Sequence, residues 1–256
     1  MTNTAPVAVI SGASRGVGRA LALRLAADGY DIAGTWNRNE AAAQQVRSEI
    51  ESIGRRATMY CNDVADGEAT AGLVEAILAD HGRVDTLVHN AGIASRGRFV
   101  ADTTSVEIAR VMGVHAMGAF HLCSALAPTI RLSDRGSVVL ISSTATSYPG
   151  AGGAPYMMGK AALEALGTTL ALEERTHGTR VNVIAPGLIV TEMGDRLAHA
   201  LTGAENAAAL DEKTPFGRVT RPEDIADLVS FLASDAARQI TGQRIEIHGG
   251  CPELVH

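Results

Sequence analysis

Tyr156 and Lys160, in the stretch Ala154-Pro155-Tyr156-Met157-Met158-Gly159-Lys160, have side chains suited to proton transfer. Spaced one turn apart, they share a face of a helix that Pro155 can start. A neighbouring ammonium stabilises a phenolate and so brings a tyrosine of ordinary pKa ~10 into use near neutral pH. Tyrosines four residues before a lysine are common on helix surfaces, so the pair gains its weight from its company. Ser143 lies shortly upstream, just after the apolar run Val138-Val139-Leu140-Ile141, and a glycine-rich turn opens the chain. Together these residues point to redox chemistry on a carbonyl or an alcohol.

The turn is Ser11-Gly12-Ala13-Ser14-Arg15-Gly16-Val17-Gly18, between a first strand and a first helix. Glycines there permit a tight bend and let backbone N–H groups approach a pyrophosphate at the helix N-terminus. The spacing is Gly-x-x-x-Gly-x-Gly, not the commoner Gly-x-Gly-x-x-Gly. At the end of the second strand, an enzyme that uses NAD commonly carries an acid for the ribose 2′-hydroxyl. This chain has Trp36-Asn37-Arg38-Asn39, with no carboxylate before Glu40. Arg15 and Arg38 are two guanidiniums that would converge on a 2′-phosphate. NADP(H) is therefore expected over NAD(H), against the competing reading of Arg38 as a solvated loop charge.

Short β-rich runs alternate with longer amphipathic ones along most of the chain. Strands are expected at Val7–Ile10, Asp31–Trp36, Arg56–Cys61, Asp85–His89, Ser137–Ser142, Arg180–Ile184 and Gln243–Ile247. Between them the pattern predicts helices, including one from about Ser105 to Ile130 and one from the Tyr156 region to about Thr176. Strands bounded by helices imply an α/β fold: one doubly wound parallel sheet of Rossmann type, with helices on both faces and ligands beyond the carboxyl ends of the strands. With no repeat or linker, residues 1–256 read as a single domain. The segment Ile189–Arg218 reads as irregular, a mobile cover over a pocket.

Hydrophobic residues make up 46% of the 256, enough for one substantial core, while aromatics are only 4%. A net charge of -6 and a pI near 5.7 argue against nucleic acid as a partner. Cys61, Cys123 and Cys251 are isolated, which suits a reducing compartment. His115, His121 and Cys123 do not share a helix face, so no metal site is expected. No signal peptide is visible and no apolar run approaches the ~20 residues of a membrane span. A cytoplasmic protein without a membrane partner is expected.

The chain resembles the short-chain dehydrogenase/reductases over essentially its full length, most closely their carbonyl-reductase and 3-oxoacyl-reductase branch. The resemblance is carried by Gly12, Gly16 and Gly18, Asp63-Val64, Asn90-Ala91-Gly92, Ser143, Tyr156 and Lys160, then Pro186-Gly187 with Ile189 and Thr191, and late Ile240-Thr241-Gly242-Gln243 and Gly249-Gly250. Each piece is short; their common order makes the match specific. It implies that Asp63 and Val64 contact adenine, that Asn90 secures the turn beside the cofactor, and that Ile189 and Thr191 hold the nicotinamide carboxamide. It further implies that Tyr156 gives a proton to the substrate oxygen, that Ser143 hydrogen-bonds that oxygen, and that Lys160 binds the ribose and depresses the tyrosine pKa.

One family member is missing from this set. The usual asparagine in the long helix is replaced by His115, and no asparagine exists between Asn90 and Asn182. A histidine keeps the main-chain carbonyl that helps order a water behind the lysine, and adds an imidazole that can shuttle protons near neutral pH; plain packing is the other reading. Where relatives acting on acyl-carrier protein tend to carry arginines, this chain places Asp134 and His177, with Arg131, Arg135 and Arg175 close by. The expected activity is hydride transfer between NADP(H) and a ketone or secondary alcohol. The alternatives are an NAD-dependent sugar, steroid or small-alcohol dehydrogenase, and a catalytically weak nucleotide-binding regulator. By resemblance, the chain forms a homo-oligomer, most often a tetramer.

Overall fold

The computed structural model describes residues 5–251; residues 1–4 and 252–256 at the ends of the expected domain lie outside the described residues. Seven strands form one sheet: β1 (Val7–Ser11), β2 (Asp31–Trp36), β3 (Ala57–Cys61), β4 (Thr86–His89), β5 (Ser137–Ile141), β6 (Arg180–Pro186) and β7 (Arg244–Ile247). Their order is β3-β2-β1-β4-β5-β6-β7, and all six pairings are parallel. The connecting helices are α1 (Gly16–Ala27), α2 (Glu40–Ser52), α3 (Gly67–His81), α4 (Ser105–Met112), α5 (Gly118–Ile130), α6 (Ala154–Glu174), α7 (Glu192–Thr202) and α8 (Pro222–Ala233).

β1, β5 and β6 are buried at every residue, as strands covered on both faces must be. Alternate side chains serve two cores. Ile10, Ile184, Leu21, Leu25 and Val229 pack on the α1–α8 side. Val9, Leu140, Ile77, Leu122 and Leu163 pack on the side of α3, α5 and α6. From β1 the chain winds outward to β2 and β3, then returns past β1 to β4. That reversal opens a crevice at the carboxyl ends of β1 and β4, where the glycine turn lies.

Two segments depart from the expected elements. The long helix runs over Ser105–Ile130 but is interrupted by a π-helical turn at Gly113–Met117 between α4 and α5. Contrary to the sequence reading, its 26 residues, with a window of mean hydropathy 1.3, are long and apolar enough to cross a bilayer. It is packed instead against α3, α6 and β4, and it buries Glu107 and His115. The second departure is residues 189–218, which are largely ordered. Thr191 caps α7 by accepting the Gly194 N–H at 3.1 Å, and Gly203 ends it in a left-handed conformation. Leu188, Ala198, Ala207, Leu210 and Val219 then form a small core of their own beneath it.

Candidate active site

The glycine turn is built by close backbone approach. A Cβ on Gly18 would stand 1.9 Å from the Gly12 carbonyl oxygen, and Gly12 and Gly16 adopt φ of +68° and +52°. No side chain caps the start of α1, and no acid stands in its first turn. The N–H groups of the first turn of α1 are thus left without a side-chain cap, with the helix dipole behind them, which fits a phosphate. Asn90 braces the turn: its Nδ2 donates to the carbonyls of Ser11 and Gly12 at 3.1 and 3.2 Å. The N–H groups of Asn90 and Ala91 both donate to Ser11 Oγ at 3.0 Å. Past β3, Val64 is buried against Gly118, and Asp63 is exposed, accepting the Ala65 N–H at 3.1 Å.

The two arginines expected to converge do not. Arg15 pairs with Glu192 at 2.8 Å, joining the turn to the first residue of α7, with both side chains about two-thirds exposed. Gly16 lies against Thr191 on the same side. Arg38 is exposed and has no hydrogen-bond or ionic partner among the described residues, and Asn39 beside it caps α2. Pro186 closes β6, and the Gly187 N–H donates to the Ile247 carbonyl at 3.0 Å. Ile189 bridges to Thr220, which ties down the segment before Thr191.

Ser143 lies two residues past the end of β5, and its Oγ accepts the Ala145 N–H at 3.2 Å. α6 starts with Pro155 in its first turn and brings Tyr156 near enough to Ser143 for the serine to act on the phenol's ionisation. Lys160 is buried, donates from Nζ to the Ile141 carbonyl at 2.7 Å, and lies 5.8 Å from the Tyr156 ring centroid. The electrostatics differ from the sequence expectation. Burial raises the Tyr156 pKa, and Ser143 acts against it. Burial also lowers Lys160 from 10.5 to about 7, opposed by the charge of Glu164. Lys160 is thus itself penalised by desolvation.

His115 sits in the π turn, fully buried. Its ring stands edge-on to Tyr156, centroids 5.1 Å apart, and Nε2 meets the Ile93 carbonyl at 2.8 Å. Gly92 and Gly159 make room for it: a Cβ on either would come within 2.9 or 3.1 Å of the histidine. Burial, aided by the charge of Lys160, drives its pKa to about 2. Burial therefore favours the neutral imidazole, which weighs against its ionising near neutrality. His89, also buried, is lowered to about 3 and contacts Ser11 Oγ at 3.2 Å. No metal-binding cluster occurs among the described residues. Asp134 and His177 precede β5 and β6, at the opposite end of the sheet from Ser143.

Sequence reasoning passed over Glu164, Arg244 and Glu192. The first stands four residues beyond Lys160, a spacing visible in the sequence; the other two gain meaning only from distant partners.

Residues 12–252 match the family described as enoyl-(acyl carrier protein) reductase. An uncharacterized oxidoreductase of Methylorubrum extorquens is 38% identical over 95% of this chain and 96% of its own. The 3-oxoacyl-[acyl-carrier-protein] reductase of Staphylococcus aureus is 32% identical over 95% and 96%. Among solved structures, a short-chain dehydrogenase/reductase from Serratia marcescens superposes with a TM-score of 0.85 at 29% identity, covering 96% of this chain and 97% of that one. With the glycine turn, the Ser143–Tyr156–Lys160 set and the seven-stranded sheet in one crevice, the chain belongs to the short-chain dehydrogenase/reductase family of oxidoreductases.

Proposed function

We propose that the protein is an NADP(H)-dependent oxidoreductase that interconverts a ketone and its secondary alcohol. The grouping of Ser143, Tyr156 and Lys160, the last 5.8 Å from the tyrosine ring centroid, in a chain that opens on the glycine turn carries this reading. A carbonyl oxygen placed between the two hydroxyls would take the Tyr156 proton while Ser143 holds the developing charge. A bound nicotinamide supplies the hydride. The turn from Gly12 to Gly18, Ser14 included, would hold the pyrophosphate, with Asp63 and Val64 at the adenine. Asn90 to Gly92 and Lys160 would lie at the ribose, and Pro186, Gly187, Ile189 and Thr191 at the carboxamide. His115 acts as a neutral wedge that holds the Tyr156 ring and the Ile93 loop. Arg38 is the guanidinium available to a 2′-phosphate.

One observation favours the NAD-dependent alternative: Arg15 is engaged by Glu192, which leaves a single arginine for the phosphate. Fluorescence titration separates the two readings. NADPH is expected to bind roughly tenfold or more tighter than NADH, a difference of ~1.4 kcal/mol. Arg38→Ala is expected to weaken NADPH alone. Equal dissociation constants would remove the NADP preference, and failure to turn over NADPH with a panel of ketones would favour the regulator.

The 3-oxoacyl reductase among the relatives supports a ketone substrate; Asp134 and His177, at the far end of the sheet from Ser143, do not bear on an acyl-carrier protein at the site. A homo-oligomer, of tetramer type, is supported by Met117, Phe120, Met158 and Leu172, which α5, α6 and the π turn leave exposed. Three free cysteines suit a cytoplasmic location.

A further inference from the structure

β7 divides its side chains by chemistry. Ile245 and Ile247 pack on the α1–α8 core, so Arg244 and Glu246 point to the other face, behind Ser143. The Arg244 guanidinium reaches Glu164 through Nε at 2.9 Å, Thr146 Oγ1 through Nη2 at 2.8 Å and Glu246 through Nη1 at 2.5 Å. Nη2 also approaches the Ser143 carbonyl at 3.4 Å. Glu164 accepts from Ser142 Oγ at 2.5 Å and from Thr146 Oγ1 at 2.8 Å, and Glu246 accepts from Ser147 Oγ at 3.1 Å. The turn that carries Ser143 is thus tied on both sides to one charged cluster. Glu164 also stands one turn beyond Lys160 on α6, on the same helix face.

We propose that Arg244 and Glu164 are positioning residues: the ion pair locks the Ser142–Ser147 turn from behind, and its carboxylate sets how readily Lys160 holds its proton. Neither residue is placed against substrate or cofactor. The inference rests on the oxidoreductase reading for its kinetic consequence, but not for its electrostatic one. The groups facing Lys160 are Tyr156 and Glu164 on α6, His89 at the end of β4 and His115 in the π turn. Burial lowers the pKa of both histidines and so favours their neutral forms. Glu164 is therefore the charge that opposes burial at the lysine. Its partner, Arg244, tempers it.

The chain has only two lysines, Lys160 and the exposed Lys213. In protein labelled with 13C-lysine, the Lys160 Cε resonance can therefore be titrated directly, with Lys213 as the internal reference. Glu164→Gln keeps the shape and removes the charge. It is expected to lower the Lys160 midpoint by about half a pH unit or more. It should also cut kcat about tenfold or more, with the NADPH dissociation constant within about twofold of wild type. Arg244→Met leaves the carboxylate without its guanidinium and is expected to raise the midpoint and to lower kcat. Opposite displacements are a signature that general loosening of the fold does not produce. If Arg244→Met does not fold, Glu164→Gln decides alone. An unmoved Lys160 midpoint in folded Glu164→Gln, or wild-type kcat in both folded variants, overturns the proposal. Absence of turnover by the wild type would sink the enzymatic reading, and the lysine titration would still decide this one.

Discussion

Gly92→Ala tests whether His115 is a wedge held between two glycines. The added Cβ would lie 2.9 Å from His115 Cε1 and 3.5 Å from Nδ1, and its next neighbour is the Asn90 carbonyl at 3.7 Å. Ordinary carbon–carbon contact is ~3.7 Å, so the ring must give by ~0.8 Å. It has little room: Gly159 backs it, Tyr156 stands at its edge, and Nε2 is fixed by Ile93. Overpacking of ~1–3 kcal/mol and loss of a hydrogen bond worth ~1 kcal/mol give an expected destabilisation of ~2–4 kcal/mol. In a chain that also carries His115→Asn, the shorter side chain vacates the contested space. The double variant should then be more stable than the sum of the singles by ~1 kcal/mol or more. Urea unfolding at fixed protein concentration, followed by circular dichroism, measures all four corners of the cycle. Additivity within ~0.5 kcal/mol would refute the wedge, and with it the idea that both glycines serve this histidine.

Tyr156→Phe should abolish turnover while cofactor affinity stays near wild type, because only the transferable proton is lost; survival of a tenth of kcat would transfer the acid role elsewhere. Ser143→Ala should cost ~2–4 kcal/mol of transition-state stabilisation, read as kcat with saturating cofactor. Lys160 also makes the stability of the free protein depend on pH. Its folded pKa of about 7 lies below the ordinary 10.5, so between these values the unfolded chain binds a proton that the folded one does not. Stability therefore rises with pH across that window, by about 3 kcal/mol from about pH 7 to about pH 9.5. Denaturant melts of wild type and Lys160→Met across the window check this: the variant should lose most of the slope, and equal slopes would contradict it.

The elements and the Ser143–Tyr156–Lys160 grouping were legible in the sequence because each depends on near neighbours. β1 and β5 are unbroken apolar runs, and α6 follows from Pro155 and the spacing of Tyr156 and Lys160. The glycine turn announces itself because only glycine tolerates its backbone angles and the contact at Gly18. The π turn left no mark. One shifted backbone bond has no hydrophobic period, and the space His115 needs comes from Gly92 and Gly159, far away in the chain. α7 read as irregular because a short helix rich in polar residues is made stable by a small core assembled from Leu188 to Val219.

Sequence alone thus determined which residue types suit which chemistry: a glycine turn that fits a phosphate, and a tyrosine with a serine and a lysine that fit proton transfer. Tertiary structure decided their electrostatic state. Arg15 was free to be assigned to a phosphate until Glu192, 177 residues away, was found beside it. Tyr156, Lys160 and His115 hold shifted protons because burial removes water from them. Desolvation is a property of everything packed around a group, and no spacing along the chain encodes it.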